Sequence, residues 1–412
     1  MDETIAEPSA EKMNLERWGY LALGTLAMLL MGVIYAWSVV KVPLAATFGW
    51  TASQLALNYS MVFCFFCIGG IVSSYLSEKL GVRTTILLGG LLICVGYLAV
   101  SRITTPNILL LYLLYGAPIG AGTGMAYTVM LAWIGAWFPD KKGTCSGILM
   151  MGFGFSGLVL GKILAWLFNV PSVGWRSAYA LLGIVTLLVL AVCALCFCHS
   201  APAVEAPQVK RERTTAVAEK TEYSTSEMLQ RPSFWMFYVF CILAGSASGM
   251  VFSITYDFCI SLGGAASIAT TAVGLLSACN GMSRIATGML YDHAGHKRTL
   301  FISSGMTVVS VLTLLISVLL HSLPLGIVGL CLTGFTYGSS PVISATVIRT
   351  FYGSEHFASN YGVNNTRAFI GSFTSVLATG LLSATGTYAA PFAVGLVLAL
   401  IAFTMHHRIR EA

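Results

Sequence analysis

An all-α integral membrane protein, crossing the bilayer twelve times in two six-helix halves, is the fold this sequence predicts. Three observations carry it. Of 412 residues, 57% are hydrophobic and 9% charged, with a mean hydropathy of +0.82. A soluble domain would carry about 25% charged residues. Apolar runs near the ~20 residues that span a bilayer follow one another along the chain. Lysine and arginine collect in alternate connections, as cytoplasmic loops do.

The elements follow in order. Residues 1–17 hold five acids and two bases, the wrong charge for a secretory signal, and read as a cytoplasmic tail. Six apolar spans come next, at 18–40, 51–76, 84–101, 108–137, 144–168 and 175–198, giving an N-terminal bundle over 18–199. The polar stretch 200–231 lacks apolar periodicity and reads as a flexible cytoplasmic linker. A second bundle over 232–405 has spans at 234–261, 268–291, 300–320, 323–350, 357–383 and 391–405, and 406–412 is a short tail. With the N-terminus inside, cytoplasmic segments hold sixteen Lys and Arg, among them Arg83, Lys141, Lys142, Lys297, Arg298 and Arg349; external segments hold Lys41, Arg102 and Arg176. Both termini are therefore expected in the cytoplasm, and the bilayer is the surrounding partner.

The same composition excludes other classes. A net charge of +6 is dispersed among short loops, without the basic stripe that nucleic acid requires. The eleven cysteines sit in or beside apolar spans, where Cys acts as a small hydrophobe. Cys193-x-x-Cys196-x-Cys198-His199 lacks a second half, so no metal and no cofactor are expected. No histidine lies mid-span and no carboxylate pair is intramembrane, so the chain is not read as an enzyme.

The chemistry concentrates in two cations. Arg284 lies inside span 8 with no acid elsewhere in that span. Guanidinium does not deprotonate in proteins, and holding it mid-bilayer costs roughly 2.5–3.5 kcal/mol on insertion scales. The missing partner is best supplied by an anionic substrate. Arg367 in span 11 shares a polar stripe with Asn360, Asn364 and Gly371. By helical rise the two lie about 12 and 16 Å from the cytoplasmic turns, so at similar depth. A carboxylate between them would relieve repulsion and accept two parallel hydrogen bonds from each planar fork. Asn280, one turn from Arg284, cannot titrate. Asp257 is the acid found inside a span, near the outer end of span 7, and is the candidate for proton coupling if a proton accompanies the anion. Lys162, near the outer end of span 5, can snorkel to water.

Two loop motifs occupy matching places in the halves. Gly288-Met-Leu-Tyr-Asp292-His-Ala-Gly295-His-Lys297-Arg298 joins spans 8 and 9, and Ser74-Tyr-Leu-Ser-Glu78-Lys-Leu-Gly81-Val-Arg83 joins spans 2 and 3. Both resemble the loop signature of the major facilitator superfamily, the second with Ser for Gly and Glu for Asp. The resemblance implies a gating role for Glu78, Arg83, Asp292, Lys297 and Arg298, and a substrate site between the halves near the midplane.

Within that superfamily the chain resembles the oxalate/formate antiporter family, which is related to the monocarboxylate transporters. The match runs along nearly the whole membrane portion: Gly32-Val-x-Tyr35-x-Trp37-Ser38 in span 1, Gly122-x-Gly124-x-x-Tyr127 in span 4, Trp137-Phe-Pro-Asp-Lys-Lys-Gly143-x-x-Ser146-Gly147 before span 5, Asn280-x-x-x-Arg284 in span 8 and Asn360-Tyr361-Gly362 in span 11. One departure stands out. The family's span-11 lysine position is Ala368 here, with the cation at Arg367. The resemblance implies a secondary transporter of small carboxylates, such as formate, oxalate, lactate or pyruvate, by anion exchange or proton symport across the cell membrane. The fold usually works as a monomer. It also favours Tyr35, Trp37, Tyr127 and Tyr337 as an aromatic box around the substrate, with Asn280 and Asn364 beside the cations. Sugar or drug transport is the competing reading; sugar sites favour neutral polar groups and cationic-drug sites favour acids.

Overall fold

The computed structural model describes residues 10–197, 222–252 and 254–409, and among these every regular element is a helix. Cys198, His199 and residues 200–221 of the expected linker lie outside them. In the first half the helices are α1 (Ala10–Met31), α2 (Trp37–Phe48), α3 (Ala52–Ser101), α4 (Ile108–Leu111), α5 (Ala117–Ala136), α6 (Lys142–Asn169) and α7 (Gly174–Cys196). After the linker come α8 (Thr225–Leu229), α9 (Pro232–Phe252), α10 (Thr255–Ser261), α11 (Ala266–Leu319), α12 (Leu323–Phe351), α13 (Phe357–Thr385) and α14 (Ala389–Met405).

Among the described residues ten helices are long and apolar enough to cross a membrane, and two are far too long for one crossing: α3 has 50 residues and α11 has 54. Each breaks once, at Gly81 (φ 82°) and at Gly295 (φ 72°). Such a positive φ suits glycine, which lacks the β-carbon that would clash. The breaks fall in the two loop motifs and turn each long helix into two crossings, which makes twelve.

The sequence reading missed interruptions inside spans. Span 1 passes through a tight 3₁₀ segment at Gly32–Ala36, which carries Tyr35. Span 7 breaks between α9 and α10, at the equivalent place in the second half. Span 4 carries a π-turn at Tyr112–Gly116. The far end of the expected linker also differs from a flexible chain. Tyr223 pairs backbone to backbone with Tyr352 (3.1 Å), Asn360 Nδ2 donates to the Tyr223 carbonyl (2.9 Å), and Thr225 Oγ1 donates to Asn360 Oδ1 (2.8 Å). Asn360 thus pins the linker to α13 instead of facing a site.

Small residues set the helix spacing. A β-carbon on Gly124 would lie 1.9 Å from the Phe66 carbonyl oxygen, and one on Gly338 would lie 2.1 Å from that of Asn280. These contacts pack α5 on α3 and α12 on α11, equivalent pairs in the two halves, since without a hydrophobic drive in lipid close backbone approach does the packing. Across the halves, α6 runs along α11 and α3 along α13.

Hydrogen bonds identify one end of the bundle. Arg17 joins Asp140 (3.1 Å), Arg83 Nε donates to the Phe197 carbonyl (3.2 Å), and Asp292 accepts from Gly143 (3.0 Å). The Gly81 and Gly295 turns, the start of α1, the end of α7 and the start of α9 therefore gather at what is called here the linker end.

Candidate functional site

Arg284 projects from α11 into the seam between the halves and is 1% exposed. Its Nη1 donates to the Met150 carbonyl of α6 (2.6 Å) and its Nη2 to Asn280 Oδ1 (3.3 Å), while Nε has no acceptor. The guanidinium carbon lies 5.7 Å from the centre of the Tyr35 ring. Each of these partners is neutral, and a buried charge normally requires an opposite one.

Arg367 reaches the same cavity from α13. Its Nη1 donates to Ser340 Oγ of α12 (2.9 Å), and its Nε too is buried without an acceptor. Asn365, Ala368, Ser372 and Ser375 recur at helical spacing as the α13 face of the cavity, and Arg367 enters from the flank of that stripe. Both guanidiniums thus border one space of about 70 Å³, whose other walls include Tyr35, Tyr59, Phe63, Phe66, Tyr127, Phe153 and Tyr337. No carboxylate is among the lining residues.

The aromatic wall is tightly set. Tyr35 meets Phe153 edge-on at 5.3 Å and Tyr337 at 6.2 Å, and Tyr337 meets Phe252 at 4.6 Å. The Tyr127 hydroxyl pairs with that of Tyr361 across the halves (3.3 Å). At and below that pair the halves are sealed toward the linker end: Gly362 packs on Gly70, and Arg349 Nη2 donates to the Leu131 carbonyl (3.3 Å). One turn on the cavity side of the pair, Cys67 Sγ donates to the Asn365 carbonyl (3.1 Å). Above it, the cavity runs past Tyr59, Gly249 and Ser375 toward the opposite end.

Not every expected residue joins this space. Trp37 turns into its own half, where its indole N–H donates to the Leu55 carbonyl (3.0 Å) and its ring packs 4.9 Å from Tyr115. The 3₁₀ segment before it rotates Tyr35 in and Trp37 out. Asn364 is fully buried, with neither amide atom paired, and its neighbour Asn365 takes the cavity wall instead. Asn280 acts through Arg284, orienting it. Asp257 is exposed on α10, outside the cavity.

The loop motifs behave unequally. Asp292 crosses to the other half and caps α6, accepting from the Gly143 and Thr144 amides (3.0 and 2.9 Å) and from Thr144 Oγ1 (2.8 Å). A carboxylate there satisfies orphan amides and meets the positive end of the helix dipole. Glu78, its counterpart, is exposed and makes no bond among the described residues; Lys297 and Arg298 are likewise exposed and unpaired. Arg83 closes the end of α7 within its own half. The structure therefore gives an inter-half contact to Asp292 alone of the five expected gating residues. Asp292→Asn removes the charge and one acceptor, and a lost cap is worth about 0.5–2 kcal/mol. Cys145, 1% exposed beside this seam, is expected to react with maleimide from the linker end about fivefold faster in that variant. An unchanged labelling rate at Cys145 would remove the seal assignment.

Sequence reasoning missed Tyr59, Phe63, Phe66, Phe153 and Ser340 in the wall, and the burial of Arg349. In a predominantly apolar span with scattered polar residues no face is marked, so the aromatics carried no signal. Arg349 did carry one: it fell within the last turn of span 10 as delimited by hydropathy.

Comparison with known proteins agrees with this architecture. The Major Facilitator Superfamily profile matches residues 21–376 and 255–410. The oxalate:formate antiporter of Oxalobacter formigenes is 27% identical over 354 residues, 84% of this chain and 80% of that one. The MFS-type transporter YhjX of Escherichia coli is 25% identical over 357 residues, 85% of each chain. Monocarboxylate transporter 13 of Rattus norvegicus is 28% identical over 181 residues, 43% of this chain and 41% of that one. Among solved structures, the proton:xylose symporter XylE superposes with a TM-score of 0.72 at 14% identity, covering 97% of both chains. The E. coli fucose:proton symporter FucP does so at 0.65 and 16%, covering 95% of this chain and 98% of that one. With a matching profile over nearly its whole length and the twelve-crossing fold to accompany it, this chain belongs to the Major Facilitator Superfamily.

Proposed function

We propose that this protein carries small carboxylate anions across the cell membrane by alternating access, as an exchanger, with the linker end and both termini in the cytoplasm. The observation that carries this reading is a pair of buried guanidiniums, Arg284 and Arg367, bordering one cavity with no carboxylate in its wall. A carboxylate seated between them would supply acceptors for both orphaned Nε groups. Tyr35, Tyr127 and Tyr337 would close around it, their hydroxyls serving as further donors.

The charge of the site points the same way: a sugar would leave both cations uncancelled. The low-identity likeness to sugar symporters speaks for the fold alone. The names of two relatives, an oxalate:formate antiporter and a monocarboxylate transporter, match the chemistry of the cations. One chain encloses the whole cavity, so a monomer suffices.

Exchange is favoured over proton symport because no Asp, Glu or His lines the cavity. The returning halves would then need an anion to cancel the repulsion between the two arginines. Proteoliposomes preloaded with labelled formate, oxalate, lactate and pyruvate test this. Saturable counterflow of at least one is expected, and a pH gradient alone should drive no accumulation. Absence of counterflow with all four would sink the carboxylate reading; uptake driven by an acid-outside gradient would sink exchange.

A further inference from the structure

A third arginine is buried in the seam, and neither the transport reading nor the gating motifs account for it. Arg349, in the last turn of α12, is 5% exposed. Its Nη2 donates to the Leu131 carbonyl of α5 (3.3 Å), its Nη1 is buried with no acceptor, and it packs so closely on Gly135 that a β-carbon there would lie 2.2 Å from Nη1. The charge lies over the ring of Phe357, 4.0 Å from its centre. No acid lies within ion-pair distance among the described residues. A salt-bridged latch would have a carboxylate here. Instead the halves close on a bare cation, whose desolvation opposes closure.

Its position is on the path. From Ser340, which holds Arg367, the helix descends about 13 Å to Arg349. Between the two levels stands the Tyr127–Tyr361 hydroxyl pair, and Tyr361 stacks on Phe357 at 5.3 Å. The sequence from cavity to linker end is thus arginine pair, tyrosine pair, arginine.

We infer that Arg349 is a second anion station, on the linker side of the tyrosine pair, which binds a small carboxylate when the halves part at that end. Parting withdraws Leu131 and Gly135, which belong to the other half, while Phe357 stays with Arg349 in its own. The guanidinium then faces the opening with its bond to Leu131 released as well, placed to capture an incoming anion or to hand an outgoing one to water. This rests on the carboxylate-transport reading above.

The test uses right-side-out and everted membrane vesicles, so that each face is titrated separately, with labelled formate, oxalate and lactate as probes. Arg349→Gln keeps an amide donor for Leu131 but loses the charge; Arg349→Lys keeps the charge; Arg349→Met is the second neutral variant where Gln fails to insert. For the neutral variants the half-saturating concentration at the linker face is expected to rise about fivefold, as for a solvent-exposed ion pair. The opposite face should stay within about twofold, and Lys should recover most of the loss. A residue that acted only on the closing of the halves would move the two faces in opposite directions, because it changes the populations of the linker-open and linker-closed states and not the binding at one of them. Tighter linker-face binding, opposite or equal shifts at the two faces, or no shift would overturn the station. Wild-type vesicles that exchange none of the three anions would overturn the transport reading, and the station with it.

Discussion

Arg284→Gln is expected to abolish anion exchange while making the empty protein more stable. Removing one partner of a desolvated charge pair costs about 2–5 kcal/mol of binding, so flux at a fixed substrate concentration should fall by at least ~30-fold. The glutamine amide can still donate toward the Met150 carbonyl, so the seam need not collapse. In the unliganded protein the same guanidinium is buried with an unpaired Nε and no anion. A neutral replacement relieves desolvation, roughly 2.5–3.5 kcal/mol on insertion scales, offset in part by the lost bond to Asn280. Melting of the detergent-solubilised variant should therefore move up, and added carboxylate should no longer shift it. Wild-type flux in this variant, or a melting point that still rises with carboxylate, would remove Arg284 from the site. Opposite signs for function and stability distinguish a binding cation from a structural one.

Gly147→Leu is the second large effect, and it separates the seam from the bundles. A β-carbon on Gly147 would lie 2.4 Å from the Arg284 carbonyl oxygen of the opposite half. On the alternating-access reading that contact is released when the linker end opens, so a leucine is expected to obstruct closure and leave each bundle intact. Gly124→Leu would instead drive into the Phe66 carbonyl of the same half, 1.9 Å from the built β-carbon, in every conformation. Overpacking that forces backbone movement costs about 1–3 kcal/mol or more. Gly147→Leu should reach the membrane at near wild-type level, lose exchange by about tenfold or more, and expose Cys145 to maleimide from the linker end. Gly124→Leu should fail to accumulate. Gly147→Leu protein that exchanges normally with Cys145 protected would show that α6 and α11 do not form the moving seam.

Much was legible from the chain because the bilayer is a one-dimensional constraint. Composition and run length set the number of crossings, and lysine and arginine give the expectation for their sense. The cation argument was equally local: a guanidinium inside an apolar run must face protein or water, whatever packs around it. Gly81 and Gly295 were readable as turns, since each sits in a charged motif between two apolar runs, and both take positive φ.

What only the tertiary structure decided is which way each residue faces. Hydropathy marks a face when one side is polar, and in spans 1, 2 and 5 the polar residues are too few and scattered to mark one. The swap of Tyr35 for Trp37 came from a 3₁₀ segment that no residue type announced. Tyr59 and Phe153 were indistinguishable from packing residues until the halves met. Asn364, Asn365 and Arg367 lie along one short stretch, and only the crossing of α13 against α3 and α12 settled that the second and third border the cavity. Arg349, counted with the loops, is buried because α5 from the other half lies over it. The sequence by itself determined the solvent each segment needs and where permanent charge resists it; the pairing of helices, which depends on close backbone approach at glycines far apart in the chain, determined what those charges face.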